Sequence, residues 1–283
     1  MSRAIGIHIG LNAVDRRSYE GWAGELNACE NDARDMAAIG MSQKMRSRTL
    51  LTKRATRRAV LTALTTAARS LKKGDYCLVT YSGHGGQLPD RNHDEPDAYD
   101  ETWCLYDGEI SDDQLDQAWA KFRSGVRILV LSDSCHSGTV TRAAFMSALR
   151  AASPGRGLGS HENGNAPRSR AMPMAVAMRV YRAHQREYDR IQKSVDPRAR
   201  DRVKASVLLI SGCQDNQESL DGDVNGLFTE NLLRVWKQGR FRGDYRRFHR
   251  EIARRMPPTQ SPNYYMIGAT NGRFENQRPF QVQ

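Results

Sequence analysis

The sequence predicts an α/β fold in which a mostly parallel, six-stranded sheet is flanked by helices. Short apolar runs alternate with amphipathic segments along most of the chain, a pattern typical of a parallel sheet covered on both faces. With 283 residues, the chain is long enough for one large domain. We therefore predict a single domain over 1–283, in which a basic linker or insertion at 141–205 separates the parts 1–140 and 206–283.

The hydrophobic pattern places each element in order. Apolar runs predict six strands, at 4–11, 47–52, 75–83, 127–133, 206–212 and 263–268. Helical periodicity predicts six helices, at 25–42, 56–71, 111–122, 176–195, 226–239 and 245–256. Ser111 is the expected N-cap of the third helix, and Lys72-Lys73-Gly74 ends the second. The Gly-, Pro- and Ser-rich stretch 153–170 has no core pattern and is predicted to be a mobile loop.

The charge of the chain is strongly basic but unevenly distributed. The net charge is +11, and residues 142–204 hold 14 basic against 5 acidic side chains. Residues 89–116 hold 11 acidic side chains and a single base, Arg91, and the acids at 94–101 are expected in a solvated loop. The two blocks could face each other. A basic balance is typical of nucleic-acid binding, but no recognition motif accompanies the basic block, so nucleic acid is not the expected partner.

Neither a membrane segment nor a targeting signal is predicted. No run of residues approaches the 18 or so apolar positions that a membrane helix needs. The N-terminal stretch MSRAIGIHIG lacks the apolar core and small-residue cleavage site of a signal peptide. We expect a soluble protein in the cytoplasm, without a membrane partner.

The cysteines predict thiols rather than a zinc ribbon or a disulfide framework. Five cysteines are spread along the chain without a CxxC pair, and a reducing cytoplasm argues against disulfides. Cys29, Cys77 and Cys104 are expected in the core. Cys213 is expected to be structural as well, although its place after the fifth strand puts it near a cleft.

Two strands end in side chains that suit nucleophilic chemistry. The third strand ends in YSGHGG, with His84, and the fourth ends in DSCHSG, with Cys135. In parallel sheets, ligands bind beyond the carboxyl ends of the strands, so His84 and Cys135 should meet at one edge. A Cys–His pair can generate a thiolate and protonate a leaving amine. The backbone N–H groups of Gly85 and Cys135 are the candidate oxyanion hole, and His136 is expected to point away.

These motifs resemble those of the caspase-fold cysteine peptidases, in particular the metacaspase and bacterial orthocaspase group. The resemblance rests on the motifs YSGHGGQ and DSCHSGT, which are separated by the acidic stretches DEPDAYDET and ISDDQL. The His precedes the Cys by 51 residues, near the spacing of about 50 known for caspases. The resemblance extends from the first strand to about Thr270. It implies a caspase-like (caspase-hemoglobinase) fold of large-subunit-like and small-subunit-like parts, and a cysteine endopeptidase with a His84–Cys135 dyad.

The residues before the Cys imply a substrate preference. True caspases carry Gln-Ala-Cys, whereas this chain has Asp133-Ser134-Cys135. The resemblance to metacaspases implies that Asp133 lines a pocket for a basic P1 residue, that the segment NACENDARD supplies Asp32, and that Ser82 lines the same pocket. Carboxylates bind a guanidinium through charge-assisted hydrogen bonds. The expected substrates are proteins or peptides cleaved after Arg, then Lys, and poorly after Asp.

The resemblance also bears on cofactors and maturation. Asp100, Asp112 and Asp113 match three calcium ligands of many metacaspases, but the fourth expected acid is Arg142, whose charge opposes a metal. The rival interpretation pairs these acids with Arg142 and the basic block, and no cofactor is required. The segments NAPRSRAM and DPRARDRVK are expected to be accessible, so the basic linker is a candidate cleavage region of a zymogen, or a restraint over the site.

Two further interpretations stay open beside the peptidase. A catalytically silent caspase-fold binding module would usually have lost the dyad, and a nucleic-acid binder would use the Arg-rich segment. The resemblance favours a monomer and leaves room for an activating protease or regulatory partner. Stress response, cell death and defence are the candidate biological settings.

Overall fold

The computed structural model describes residues 2–91, 99–135, 168–213 and 220–282. The predicted α/β class is confirmed, because a six-stranded central sheet lies between helices. The strands of this sheet are β1 (Ala4–Gly10), β2 (Arg46–Leu51), β3 (Tyr76–Ser82), β7 (Arg127–Asp133), β8 (Ser206–Ser211) and β9 (Asn263–Gly268). Their order is β2-β1-β3-β7-β8-β9.

The sheet is parallel except at one edge. The pairs β1–β2, β1–β3, β3–β7 and β7–β8 are parallel, whereas β9 runs antiparallel to β8. Every residue of β3 and β7 is buried, as expected for parallel strands covered on both faces. Strands β7 and β8 are neighbours although the linker 141–205 separates them in sequence. The division of the chain around that linker stays a prediction.

Helices cover both faces of the sheet. The structure has α1 (Cys29–Ser42), α2 (Arg57–Ser70), α3 (Asp112–Trp119), α4 (Met174–Ser194), α5 (Leu227–Trp236), α6 (Tyr245–Ala253) and the short α7 (Gly272–Glu275). Helices α2 and α3 pack on the face that carries Val79 and Val130. Helices α1, α5 and α6 pack on the face that carries Leu78 and Leu129. Alternate residues of each strand therefore pack into two separate hydrophobic cores.

The helix ends follow local chemistry. Ser111 is the N-cap of α3, as predicted, and forms a capping box with Gln114. Thr56 caps α2 by accepting a hydrogen bond from the Ala59 N–H. Helix α5 ends at Trp236, before its predicted end, because Lys237 adopts a left-handed conformation with φ 48°. Helix α1 begins at Cys29, four residues after its predicted start.

A second sheet was not predicted. Strands β4 (Gly85–Pro89), β5 (Tyr99–Leu105) and β6 (Gly108–Ser111) form a three-stranded antiparallel sheet, and α4 packs against it through Val180 and Tyr188. The expectation of a solvated acidic loop at 94–101 is wrong for Asp100, which lies buried in β5. Residues 92–98 lie outside the described part. Glycines and acids are rare in strands, so the hydrophobic pattern of the sequence did not predict these three strands.

The carboxyl ends of the parallel strands converge on one edge of the central sheet. In the parallel register, Ser82 of β3 pairs with Asp133 of β7, and Ser132 pairs with Ser211 of β8. The segments that follow β3, β7 and β8 therefore leave the sheet side by side. Among the described helices, none combines the length and the apolar run that a membrane crossing needs.

Candidate active site

His84 and Cys135 lie at the carboxyl edge, each two residues beyond the paired Ser82 and Asp133. Both are buried, with His84 5% and Cys135 0% exposed. The backbone of His84 is fixed, because its carbonyl accepts hydrogen bonds from the Tyr81 hydroxyl (2.6 Å) and from the Cys104 N–H (3.0 Å).

The imidazole of His84 is oriented by a backbone carbonyl. Its Nε2 lies 3.1 Å from the Gly24 oxygen, which assigns the ring proton to Nε2 because a carbonyl can only accept. Nδ1 has no hydrogen-bond partner among the described residues. Trp22 packs on the ring at 4.7 Å between centroids. Burial lowers the pKa of His84 to about 4, although the Gly24 carbonyl raises it. The ring is therefore neutral, with a free lone pair on Nδ1.

The conformation of Gly24 makes this contact available. Its φ of +51° lies in the left-handed region, and a Cβ there would come 3.0 Å from the His84 ring. Only glycine combines this backbone with this approach. A side chain at position 24 would move the imidazole.

Four polar residues surround one buried arginine of the same chain. The guanidinium of Arg170 lies 2.9 Å from the carboxylates of Asp32 and Asp221 and 3.0 Å from that of Asp133. It also donates to the Ser82 hydroxyl (3.0 Å) and to the Asp133 carbonyl (3.1 Å). The Arg170 side chain has no exposure to solvent. The structure thus brings together Asp32, Ser82 and Asp133, the three residues that the family resemblance assigned to a pocket for basic side chains.

Neighbouring N–H and O–H groups hold the three carboxylates in place. Asp32 accepts from the Gly226 N–H, and Asp133 accepts from the backbone and hydroxyl of Thr229. Asp221 accepts from the backbone N–H groups of Asn27 and Ala28. These bonds keep each acid oriented toward the guanidinium.

The electrostatics of this cluster favour a bound cation. Burial raises the pKa of the Asp32 carboxyl, Arg170 opposes that rise, and Asp133 adds to it. Burial alone would lower the pKa of Arg170, but Asp133, Asp32 and Asp221 hold it well above its usual value. Three buried acids around one guanidinium leave the cluster with excess negative charge, so losing the cation would be costly.

The backbone around Arg170 is bound in an extended form. Its carbonyl accepts from the Gly85 N–H (2.9 Å), and the Met172 N–H donates to the Gly85 carbonyl (2.7 Å). On the other side, the Asp221 N–H donates to the Arg168 carbonyl (2.9 Å). Arg170 thus lies in the pocket while its carbonyl accepts a hydrogen bond from Gly85, a candidate oxyanion donor. This hydrogen bond holds the Arg170–Ala171 peptide bond beside the residue that follows His84.

This arrangement corrects one expectation about the linker. Arg170 was predicted to be accessible and part of a mobile loop, but it is buried, because three carboxylates compensate its charge. Residues 153–167 of that loop lie outside the described residues, as do His136 and Arg142, whereas Arg168 is exposed. In the second candidate segment, Arg198, Arg200 and Arg202 are exposed, as predicted.

The cysteines fall into two groups. Cys29, Cys77 and Cys104 are buried, as expected, and burial raises the pKa of each, to about 12 for Cys77. Cys213 lies with its sulfur 3.1 Å from that of Cys135 and 3.2 Å from the Ser134 carbonyl. It therefore contacts the candidate nucleophile, although the sequence assigned it only a structural place near the cleft.

Sequence reasoning missed two members of the site. Asp221 follows β8 in a segment without hydrophobic periodicity, and no motif marked it. The Gly24 carbonyl belongs to the backbone, whose position depends on the chain path between β1 and α1. The one signal for Arg170 was its membership of the Arg-rich candidate NAPRSRAM.

The candidate calcium ligands lie near the starts of β5 and α3. Asp100 is in β5, and Asp112 and Asp113 open α3. Burial and the neighbouring acids Glu101, Asp100, Asp113 and Asp116 raise the pKa of Asp112 well above its usual value. Carboxylate oxygens suit calcium. Within the described residues, however, no group of three His, Cys, Asp or Glu side chains is placed to hold a metal ion, so no chemical step is assigned to one.

The chain is similar to known proteins over most of its length. The family model described as the caspase domain, Peptidase C14, matches residues 13–274. Metacaspase-1A of Neurospora crassa is 29% identical over 249 residues, which are 78% of this chain and 52% of that protein. Metacaspase-1 of Schizosaccharomyces pombe is 28% identical over 260 residues, 81% of this chain and 58% of that protein. The chain thus spans a little over half the length of these relatives.

A solved structure is similar over the whole chain. The crystal structure of a protein from Geobacter sulfurreducens is 52% identical, has a TM-score of 0.87, and covers 99% of both chains. The family model extends over both halves of the central sheet, from the segment after β1 to α7. The chain therefore belongs to the caspase domain family of peptidases, Peptidase C14.

Proposed function

We propose that the protein is a cysteine endopeptidase that cleaves after arginine, and after lysine less well, through a dyad of Cys135 and His84. One observation carries the proposal. A peptide arginine of the chain itself, Arg170, fills a pocket of three carboxylates while its carbonyl accepts a hydrogen bond from the Gly85 N–H. A substrate arginine bound in the same way would present its scissile carbonyl at the dyad.

In this mechanism, Nδ1 of His84 removes the proton from the Cys135 thiol, and the thiolate attacks the scissile carbonyl carbon. The N–H groups of Gly85 and Cys135 stabilise the oxyanion. The imidazolium then protonates the leaving amine, and the C–N bond breaks to leave a thioester. Water, deprotonated by His84, hydrolyses the thioester and releases the new carboxyl terminus. The Gly24 carbonyl stabilises the imidazolium, because it accepts a hydrogen bond from the Nε2–H group.

The pocket supports the order Arg, then Lys. A guanidinium has five N–H donors in a planar fork, and Arg170 uses both terminal nitrogens, on Asp32, Asp133, Asp221 and Ser82. A lysine ammonium has three donors on one nitrogen and cannot bridge the same acids at once. An aspartate side chain would meet three negative charges, which excludes it.

The bound segment supports maturation by self-cleavage. Because the Arg170 side chain fills the pocket and its carbonyl accepts a hydrogen bond from the Gly85 N–H, we propose that the uncut chain is a zymogen and that the Arg170–Ala171 bond is its first cleavage site. Until the bond is cut and the segment leaves, Arg170 blocks the pocket against other substrates. The exposed arginines of 196–204 lack such contacts with the pocket.

Hydrolysis of matched fluorogenic peptides ending in Arg, Lys or Asp tests the activity. Wild type should cleave the Arg peptide, and Cys135→Ala should lose that cleavage. Intact-mass analysis of the same samples should give fragments ending at Arg170 and beginning at Ala171 for wild type only. No cleavage by wild type, even after the linker is nicked with an added protease, would refute the peptidase and favour a silent binding module.

The remaining expectations accompany this proposal. We propose protein substrates, a monomer in the cytoplasm, and a role in stress, cell-death or defence responses, with activation by self-cleavage or by a second protease. Calcium binding by Asp100, Asp112 and Asp113 stays a proposal, because a divalent cation would relieve the repulsion among acids that raises the pKa of Asp112. Retention on immobilised DNA or RNA at low salt would favour the nucleic-acid alternative.

A further inference from the structure

A second thiol touches the candidate nucleophile. The sulfurs of Cys135 and Cys213 are 3.1 Å apart, whereas the sulfurs of a disulfide are about 2.05 Å apart. A movement of about 1 Å, the difference between those distances, would bond them. The two residues are 78 positions apart in sequence and meet because each follows a strand of the same parallel pair.

The surrounding backbone keeps the two thiols in register. The Gly212 N–H donates to the Ser132 carbonyl at 2.7 Å, which extends the β7–β8 ladder to the residue before Cys213. The Ser211 hydroxyl donates to the Cys213 carbonyl at 2.9 Å. Cys213 is therefore held beside Cys135 by the strand ends, and not by a surface loop that could swing away.

The other three cysteines provide a contrast within the same chain. Burial raises the pKa values of Cys29, Cys77 and Cys104, which disfavours the thiolate that peroxide oxidises. Cys135 is the thiol that the proposed base His84 would ionise, because the strands that precede these two residues are paired. Cys213 is the thiol in contact with Cys135. Selective oxidation at this pair follows from position rather than from exposure, because both side chains are buried.

We infer that Cys135 and Cys213 are a modification site at which peroxide produces a reversible disulfide. The Cys135 thiolate attacks a peroxide oxygen, the O–O bond breaks, and Cys135 becomes a sulfenic acid as the peroxide is reduced to water. The Cys213 thiol then attacks the sulfenic sulfur, the S–S bond forms, and a second water leaves. Two thiols and one hydrogen peroxide thus give one disulfide and two waters, and a dithiol reductant reverses the change.

This inference rests on the proposed function only for the role of Cys135 as nucleophile. The disulfide would silence the peptidase while it lasts. It would also protect Cys135 from further oxidation to sulfinic and sulfonic acids, which ordinary thiols do not reverse. Cys213 would act as the resolving thiol.

Peptide mapping by mass spectrometry after hydrogen peroxide treatment tests the inference. Wild type should lose the mass of two hydrogens, yield one cross-linked peptide pair that contains Cys135 and Cys213, and regain its thiols with dithiothreitol. Peptidase activity should be lost and regained in parallel. In Cys213→Ser, Cys135 should gain two or three oxygens, and dithiothreitol should restore neither thiol nor activity. Cys77→Ala, which removes a buried thiol elsewhere in the sheet, should behave as wild type.

The outcomes separate this inference from the proposed function. Oxygen addition at Cys135 of wild type without a cross-link, or a cross-link to another cysteine, would overturn the inference. An unreacted pair under conditions that oxidise a small-molecule thiol would overturn it too. A mapped, reversible Cys135–Cys213 disulfide in a protein without peptidase activity would support the inference while the proposed function fails. Cys213→Ala is the second variant if the Ser variant does not fold.

Discussion

Replacement of Arg170 by glutamine tests the central contact of the site. The change removes the cation shared by Asp32, Asp133 and Asp221 and leaves three buried carboxylates without a positive charge. Removing one partner of a buried ion pair typically costs about 3–5 kcal/mol of stability. Glutamine retains an amide hydrogen-bond donor, so the loss of stability reflects mainly the missing positive charge. We expect the free energy of unfolding to fall by roughly this amount at neutral pH.

The measurement is thermal unfolding in a Cys135→Ala background, which keeps the chain intact. The expected fall in melting temperature is on the order of 5–15 °C, because each kcal/mol shifts a large domain by a few degrees. The sign of the pH dependence follows from Asp32. Burial already raises its pKa, and the loss of Arg170 removes the cause that opposes that rise. With Asp32 protonated in the folded state, the variant gains stability as pH falls below the raised pKa toward the ordinary value of 3.8. Mild acid should therefore reduce the difference in melting temperature between Arg170→Gln and the protein that retains Arg170.

Arg168→Gln is the matched control for this experiment. Arg168 lies two residues earlier, is exposed, and donates only to the Glu25 carbonyl in the described structure. We expect a change within about 0.5 kcal/mol. Equal melting temperatures for Arg170→Gln and Arg168→Gln would refute the reasoning, because the charge of Arg170 would then contribute nothing to the stability of the uncut protein.

Four other changes test neighbouring parts of the site. Gly226→Ala places a Cβ about 2.5 Å from the bound guanidinium, so kcat/KM should fall more for Arg peptides than for Lys peptides; an equal loss would contradict this. Asp221→Asn should lower kcat/KM for Arg peptides by about 10- to 150-fold, the range for a hydrogen bond to a charged group, and an unchanged value would remove Asp221 from the pocket. Burial lowers the pKa of His84 to about 4 in the folded protein, so the free energy of unfolding should fall as pH drops from 6.5 toward 4. His84→Gln should make this pH dependence weaker in urea titrations, and an unchanged pH dependence would contradict the prediction. Calcium should raise the melting temperature of wild type but not of Asp112→Asn, and no shift in wild type would refute the calcium proposal.

Much of the central sheet could be predicted, because its strands are buried on both faces. The runs at β3 and β7 form continuous apolar segments, and α2 carries clear 3.6-residue periodicity. The second sheet could not be predicted, because β4 begins with two glycines and β5 contains Asp100 and Glu101. Those strands owe their stability to pairing with one another and to the packing of α4, which a local pattern does not reveal.

The candidate site divides in the same way. His84 and Cys135 could be located from the sequence, since each stands directly after a recognisable strand and parallel strands end at a shared edge. Asp32 and Asp133 followed from the family resemblance. Arg170 and Asp221 are different, because they stand 138 and 189 positions after Asp32 and have no pattern of their own.

The amino-acid order was sufficient for the α/β class and for the expectation that His84 and Cys135 share one edge of the sheet, because these depend on local runs of residues and on the general geometry of parallel sheets. The acidic character of the proposed pocket followed from the family resemblance. The occupation of that pocket by Arg170, the third carboxylate of Asp221 and the contact between Cys135 and Cys213 came only with the folded chain. Each joins residues that separate strands or linkers bring together. Such contacts are fixed by strand pairing and by the energy of burying compensated charge, which no short stretch of sequence encodes.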